Sequence, residues 1–266
     1  QPNAMGGREV GGLSNQLAAH MDFEEEHIEC VRDFWQAPKM ATEPGLKAVD
    51  LFRAIEHGDV KAVWIMSTNP VVSLPDTQQV KRALEKCELV VVSDIMAKGD
   101  ASRYADVLLP SLGWGEKDGT VTNSERCISR QRGFLPAPGD SQPDWWQICE
   151  VAQRMGYSGF DYSNPSEIFR EHAQLSGYRN HGSRDFDISA FSEISKEDYD
   201  RFKPIQWPVN STYPMGKKRM FEDGVFYTPS GKAQLIAITP KAPQTTVTDA
   251  YPYIFNTGRI RDQWHT

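Results

Sequence analysis

Polar side chains follow two short apolar runs in the first third of the sequence. Asn69 comes just after residues 60–66, and Ser93 and Asp94 follow residues 89–92. In an open sheet of parallel strands these positions share the carboxyl edge, beyond which such sheets bind ligands. A carboxylate preceded by a hydroxyl suits the ribose of a nucleotide or the N–H edge of guanine. The alternative is that Asp94 only caps the following turn.

Two further segments have the composition of anion-binding loops. Residues 6–12 are rich in glycine, which allows close approach of the backbone, and include Arg8 as a forked hydrogen-bond donor. Residues 116–126 contain many charged and hydrogen-bonding groups, among them Lys117. A solvated surface turn is the alternative explanation for the second segment. Neither the G-x-G-x-x-G fingerprint nor a P-loop occurs in the sequence.

Aromatic and imidazole side chains lie near the end of the chain. Trp264 and His265 follow Gly258 and Arg259. This segment suits either a ligand platform or a buried turn of a β domain. No second metal ligand stands at a supporting distance from His265, so the sequence predicts no metal site there.

The segments that must position Asn69, Ser93 and Asp94 alternate between helix and strand. Helical spacing begins at Leu46 and ends at Gly58, and a second helix begins at residues 75–76. Short runs without polar interruption, typical of strands buried on both faces, occur at 89–92 and 107–109. This βαβ pattern predicts an α/β fold with a doubly wound, mostly parallel sheet.

The remaining chain divides by composition. A loop covers residues 133–143, and Asp144 is predicted to cap a helix. The inward face of that helix is predicted to contain Trp145, Ile148, Val151, Ala152 and Met155. Further helices are predicted from Asn164 and near residues 195–202. Strands at 225–228, 233–238 and 253–255 mark a β-rich region. The predicted domains are therefore 1–156, 157–224 (helical or irregular) and 225–266.

Overall charge and cysteine content exclude several classes of protein. The chain has 266 residues, and its 29 basic and 36 acidic side chains give a net charge of −7. This balance argues against nucleic-acid and anionic-membrane binding, and no membrane span or signal peptide is recognisable. The four cysteines, at 30, 87, 127 and 149, form no C-x-x-C pair. They predict a reducing, cytoplasmic compartment and no zinc or iron–sulfur site built from this chain alone.

Several motifs, taken together, resemble the molybdopterin-dependent oxidoreductases of the dimethyl-sulfoxide-reductase superfamily. Within it they are similar to the catalytic subunits of bacterial assimilatory nitrate reductases. The matching segments run in the same order along the chain and lie at 1–11, 105–110, 114–126, 138–139, 143–146 and 256–266. The first and last segments carry the similarity to nitrate reductases. The residues at both ends also predict that this sequence is a segment of a longer polypeptide.

The resemblance implies a molybdenum bis(molybdopterin guanine dinucleotide) cofactor. It implies guanine-nucleotide contacts from five residues: Asn69, Ser93, Asp94, Lys117 and Asp144. It also implies a pterin-lining loop formed by Thr257, Gly258, Arg259, Ile260, Arg261, Asp262, Gln263, Trp264, His265 and Thr266. Arg8 corresponds to an arginine near the molybdenum pocket, where a guanidinium would orient the substrate anion.

The same resemblance implies an oxidoreductase that reduces nitrate to nitrite with electrons from a donor protein or subunit. The family's [4Fe–4S] cluster would be ligated outside this segment, because none of the four cysteines fits its motif. The segment alone is expected to be inactive. Two alternatives stay open: a formate dehydrogenase-type molybdopterin enzyme, and a non-catalytic nucleotide-binding or assembly module.

Overall fold

The structure is a computed structural model that describes residues 3–243 and 246–255. Within these residues the chain forms helices and short strands in mixed order. They are α1 (Ala4–Glu9), α2 (Glu25–Trp35), α3 (Ala48–His57), β1 (Ala62–Met66), α4 (Pro70–Ser73), α5 (Thr77–Lys86), β2 (Leu89–Asp94), β3 (Val107–Pro110), β4 (Gly119–Thr122), β5 (Cys127–Gln131), α6 (Asp144–Arg154), α7 (Pro165–Gly177), α8 (Lys196–Asp200) and β6 (Ile205–Gln206). None of these helices is long and apolar enough to cross a membrane.

A parallel sheet with the strand order β1-β2-β3 forms one half of the fold. Ile65, Val90 and Val92 lie on one face of this sheet and pack in a buried cluster with side chains of α3 and α5. Because side chains alternate along a strand, Ser93 points to the opposite face, where it meets α6. Helices thus pack on both faces, and the α/β prediction is confirmed.

Local signals in the sequence set the helix boundaries. Gly58 ends α3 with a positive φ of 88°, a conformation that glycine adopts without strain. The Asp76 carboxylate caps α5 by accepting a hydrogen bond from the Gln79 backbone N–H at 3.0 Å. Asn164 and Ser195 cap α7 and α8 in the same way. These helices begin and end close to where the sequence predicts.

A second sheet and a second core join distant parts of the chain. Strands β4, β5 and β6 pair antiparallel in that order. A cluster beside them buries side chains from residues 17–31 together with Phe186, Tyr199 and Trp207. Residues 177–224 therefore contribute to a core although their sequence has no periodic pattern. The proposed domain boundaries at 156 and 224 stay a prediction.

Helix α6 differs from the prediction in two respects. Pro143 is its N-cap, and Asp144 is its first residue, whose carboxylate forms an ion pair rather than a cap. The residues it buries are Gln147, Cys149 and Ala152, whereas Ile148, Val151 and Met155 are exposed. Because Gln147 forms hydrogen bonds to the sheet, the polar side of the first turn of α6 faces inward. Part of the apolar stripe of this helix is therefore turned toward solvent.

The strands predicted at 225–228, 233–238 and 253–255 are absent from the structure. The described residues from 225 onward form turns and irregular backbone, and the side chains of Leu235 and Phe255 are 97% and 92% exposed. A β-strand is stabilised by hydrogen bonds to a neighbouring strand. No described segment pairs with these three, so the local β preference is not realised.

Candidate functional site

The carboxyl ends of β1 and β2 meet at one edge of the parallel sheet. Ser93 is in register with Met66, and the Ser67 backbone N–H donates to the Ser93 carbonyl at 3.2 Å. The backbone N–H of Ser111, just beyond β3, donates to the Asp94 carbonyl at 3.0 Å. The structure therefore places Asn69, Ser93 and Asp94 along the same edge, as the strand pattern predicts.

The Ser93 hydroxyl is buried and forms hydrogen bonds inside the protein. It accepts from the Trp64 indole Nε1–H at 2.8 Å and donates to Gln147 Oε1 at 2.7 Å. The Gln147 amide in turn donates from Nε2 to the Pro110 carbonyl at 3.0 Å. The serine thus links β1, β2 and α6 behind the edge, and its hydroxyl proton is already used there.

The two other strand-end side chains are half-buried and only partly bonded. Asp94 Oδ1 accepts from the Met96 backbone N–H at 3.0 Å, so this residue does hold the following turn. The Asn69 amide Nδ2 lies 3.4 Å from Asp100 Oδ2. Its Oδ1 is buried and has no hydrogen-bond partner in the described part of the chain.

Lys117 and Asp144 form an ion pair at the same end of the sheet. Lys117 Nζ lies 2.6 Å from Asp144 Oδ2, and the side chains are 28% and 24% exposed. Asp144 begins α6, where the helix dipole favours a negative charge. Its second oxygen, Oδ1, is buried without a partner among residues 3–243 and 246–255. The edge therefore holds two buried acceptor oxygens, on Asn69 and Asp144, that receive no donor from the described part of the chain.

Buried acceptors without partners indicate a ligand that carries hydrogen-bond donors. Leaving each such group unpaired costs about 1–3 kcal/mol, so a ligand that satisfies them gains that amount. The base edge of guanine presents N–H donors and ribose presents hydroxyls, while Lys117 supplies a positive charge for a phosphate. The acceptor oxygens and the lysine of this edge thus fit a guanine nucleotide.

Arg8 lies apart from this edge. It is an exposed residue of α1 and lines a cavity of about 480 Å³, together with His20, Arg179 and Asp185. None of the five predicted nucleotide contacts lines that cavity. His20 Nδ1 and Asp185 Oδ1 are 2.8 Å apart at its wall. Burial raises the pKa of Asp185, but the hydrogen bond and charge of His20, together with backbone N–H hydrogen bonds, outweigh burial and lower it.

A buried carboxylate next to Arg8 was not predicted from the sequence. Glu9 is 4% exposed; its oxygens accept from Thr122 Oγ1 at 2.9 Å and from Trp207 Nε1 at 2.6 Å. Burial raises the pKa of Glu9 to about 7, although these two hydrogen bonds and His20 act in the opposite direction. Its partners are 113 and 198 residues away in the sequence, so no local signal identifies this group.

The other predictions concern metals and the pterin loop. No group of three or more His, Cys, Asp or Glu side chains that could hold a metal ion occurs in the part of the chain that the structure describes. The four cysteines form no disulfide. The predicted pterin-lining residues 257–266 lie outside the described residues, so their role stays a prediction.

Comparison with known protein families gives the fold and the edge a context. Residues 3–154, more than half of the chain, match the family model described as molybdopterin oxidoreductase. The chain belongs to the molybdopterin oxidoreductase family. The matched residues include the whole parallel sheet, the edge side chains and all of α1, with Arg8 and Glu9.

Relatives of this molybdopterin oxidoreductase include nitrate reductases and a formate dehydrogenase. The chain is 49% identical to a nitrate reductase of Klebsiella oxytoca, over 100% of the chain and 30% of the relative. It is 31% identical to the assimilatory nitrate reductase catalytic subunit of Bacillus subtilis, over 100% of the chain and 37% of the relative. It is 30% identical to an F420-dependent formate dehydrogenase subunit alpha of Methanococcus maripaludis, over 98% and 36%. The chain thus spans about a third of the length of these relatives.

A solved structure with the same fold is acetylene hydratase from Pelobacter acetylenicus. The TM-score is 0.52 at 18% sequence identity, and the match covers 87% of this chain and 27% of that one. At this identity the similarity concerns the fold of the molybdopterin oxidoreductase chain.

Proposed function

We propose that this chain is the nucleotide-binding part of a molybdenum enzyme that reduces nitrate to nitrite. The observation that carries the proposal is a pair of buried acceptor oxygens, on Asn69 and Asp144, that have no partner within residues 3–243 and 246–255. They lie at the carboxyl edge of the parallel sheet of a molybdopterin oxidoreductase. This edge would hold the guanine end of a molybdopterin guanine dinucleotide, two copies of which bind the molybdenum. The cofactor, when bound, supplies the two-electron redox chemistry for nitrate reduction.

Each edge residue has a distinct role in this proposal. The free oxygens of Asn69 and Asp144 accept hydrogen bonds from the nucleotide, and the Asp94 carboxylate accepts from guanine N–H groups. Lys117 places a positive charge near the phosphates. Arg8, in its separate cavity, would orient nitrate. Residues 257–266 would line a pterin.

Nitrate is favoured over formate by sequence similarity. The identity to the Klebsiella oxytoca nitrate reductase is 49%, against 30% for the formate dehydrogenase subunit of Methanococcus maripaludis. Nitrate reduction consumes two electrons and two protons and yields nitrite and water. We therefore also propose an electron-donor protein as a partner, an iron–sulfur cluster held by another part of the longer protein, and a cytoplasmic, nitrate-assimilating enzyme.

Titration of the 266-residue chain with GDP by calorimetry tests the nucleotide site. We expect GDP to bind more tightly than ADP, because ADP lacks the N1–H and N2–H donors of guanine. Asp94→Ala should weaken GDP binding by roughly ten- to a hundredfold, since it leaves those donors unsatisfied at about 1–3 kcal/mol.

Asp59→Ala is the matched control, because Asp59 is exposed and precedes β1 at the opposite edge of the sheet. It should leave GDP affinity unchanged. Equal affinity for GDP and ADP, or equal losses from both substitutions, would contradict the proposed site.

A further inference from the structure

Gln147 is a buried polar residue behind the proposed nucleotide site. It is 4% exposed, and its side-chain amide contacts groups from three segments. Oε1 accepts from the Ser93 hydroxyl at 2.7 Å, and Nε2 donates to the Pro110 carbonyl at 3.0 Å. Nε2 also lies 3.3 Å from Ser111 Oγ and 3.4 Å from the Gln142 carbonyl. One side chain thus joins the ends of β2 and β3 to the loop before α6.

These contacts connect the two carboxylates of the edge. Asp94 directly follows Ser93 on β2, and Asp144 precedes Gln147 by three residues on α6, nearly one turn. The Gln147 amide therefore fixes the position of the Asp144 helix relative to the strand end that carries Asp94. Trp64 extends the link to β1 through its 2.8 Å hydrogen bond to Ser93.

The geometry points to Gln147 as a positioning residue for the nucleotide site. We propose that it sets the spacing between Asp94 and Asp144 without touching the nucleotide. Ser93 acts through Gln147, because its hydroxyl proton is donated to that side chain. This inference rests on the proposed function, and it changes the role of Ser93 from a cofactor contact to part of a buried hydrogen-bond link.

A positioning role for Gln147 can be distinguished by measurement from a purely structural role. A structural glutamine would affect the stability of the chain but leave the affinity of each folded molecule for nucleotide unchanged. A positioning glutamine affects that affinity, because a displaced carboxylate no longer meets its donor at hydrogen-bond distance.

The test is calorimetric titration of the 266-residue chain with GDP at about 10 °C, near the temperature of greatest stability for most proteins. Gln147→Met keeps the length of the side chain and its helix propensity but removes the amide. We expect it to weaken GDP binding by about tenfold. Gln153→Met is the matched control: it removes a Gln amide from the same helix, where that amide donates to the Phe160 carbonyl. It should leave GDP affinity unchanged.

Two further variants keep the test decisive. Gln147→Asn keeps a neutral amide on a side chain that is one methylene shorter; it should fold and bind GDP with intermediate affinity, even where Gln147→Met fails to fold. Ser93→Ala combined with Gln147→Met should weaken binding by less than the product of the two single effects, because both act through one link.

The possible results separate this inference from the proposed function. The inference would be overturned, and the nucleotide site left intact, if the wild-type chain and Gln147→Met bound GDP with equal affinity. The same holds for equal affinity in Gln147→Asn, where that is the only folded variant. No GDP binding by the wild-type chain would overturn both. Weakened binding by the Gln147 variants but not by Gln153→Met supports the inference.

Discussion

The carboxyl edge of the parallel sheet and the Glu9 cluster bury polar acceptors in opposite ways. At the edge, oxygens of Asn69 and Asp144 are enclosed without a donor from the described chain. In the cluster, both oxygens of Glu9 receive a donor, one from Thr122 and one from Trp207. Because an unpaired buried acceptor is costly, the edge is suited to binding, whereas the cluster is complete and serves the fold.

The two regions also differ in how their residues come together. The edge residues follow strand ends, so the βαβ topology brings them together wherever that topology forms. The cluster joins α1, β4 and the segment after β6, and it depends on the whole second core. Substitutions in the cluster should therefore affect stability, and substitutions at the edge should affect ligand binding.

The largest effect is expected from Trp207→Leu. This change removes a fully buried indole and one donor of Glu9, so the free energy of unfolding should fall by about 3–5 kcal/mol in urea titrations. Trp35→Leu is the control, since the Trp35 indole also donates to a glutamate, Glu171, but is 45% exposed. Its loss should cost about 1 kcal/mol or less. Similar losses at both positions would remove the distinction between the buried cluster and the surface.

A smaller and pH-dependent effect is expected from Glu9→Gln. The pKa of Glu9 rises from 4.5 to about 7 on folding. The folded protein therefore holds a proton that the unfolded chain has lost, and Glu9 lowers stability as the pH rises from about 4.5 to 7. In the variant the Gln amide can donate to Thr122 while its oxygen accepts from Trp207. Because this amide does not ionise, the variant does not lose stability over the same pH range. The variant should gain about 2–3 kcal/mol relative to wild type between these pH values.

The difference between variant and wild type is the quantity to measure, because His172 titrates in the opposite sense. Burial lowers the pKa of His172 to about 4, so its contribution to stability rises with pH between about 4 and 6.5. Taking the difference in urea-unfolding free energy across pH 4.5 to 8 cancels this contribution. A difference that does not change with pH would contradict the ionisation of Glu9 in the folded protein near pH 7.

The same contrast explains what the sequence predicts and what it does not. The strand ends carrying Asn69 and Asp94 follow from short-range patterns of apolar residues and turn formers, which act within one βαβ unit. Glu9 and Gln147 are found only once distant segments pack, because their hydrogen-bond partners are far away in the sequence. The β preference of residues 225–255 is likewise a local signal, and it is not realised without a paired strand.

The smallest effect on stability, and the finest test of the edge, is expected from Lys117→Met. Lys117 and Asp144 form a partly exposed ion pair, so its loss should change the free energy of unfolding by about 1 kcal/mol or less. Lys61→Met is the matched control, because Lys61 pairs with Glu88 at 3.1 Å but lies before β1, at the other edge of the sheet. Both variants should therefore unfold at similar urea concentrations.

The affinity for nucleotide should differ between Lys117→Met and Lys61→Met. If Lys117 supplies charge for the phosphates, Lys117→Met weakens GDP binding about three- to tenfold, an effect of about 1 kcal/mol. The loss should shrink as salt is added, because salt screens partly exposed charges. Guanosine, which has no phosphate, should bind wild type and Lys117→Met equally, and Lys61→Met should bind both ligands like wild type. A loss of guanosine affinity in Lys117→Met as large as that for GDP would mean that Lys117 acts by holding Asp144 in place. The proposal that its charge interacts with the phosphates would then be wrong.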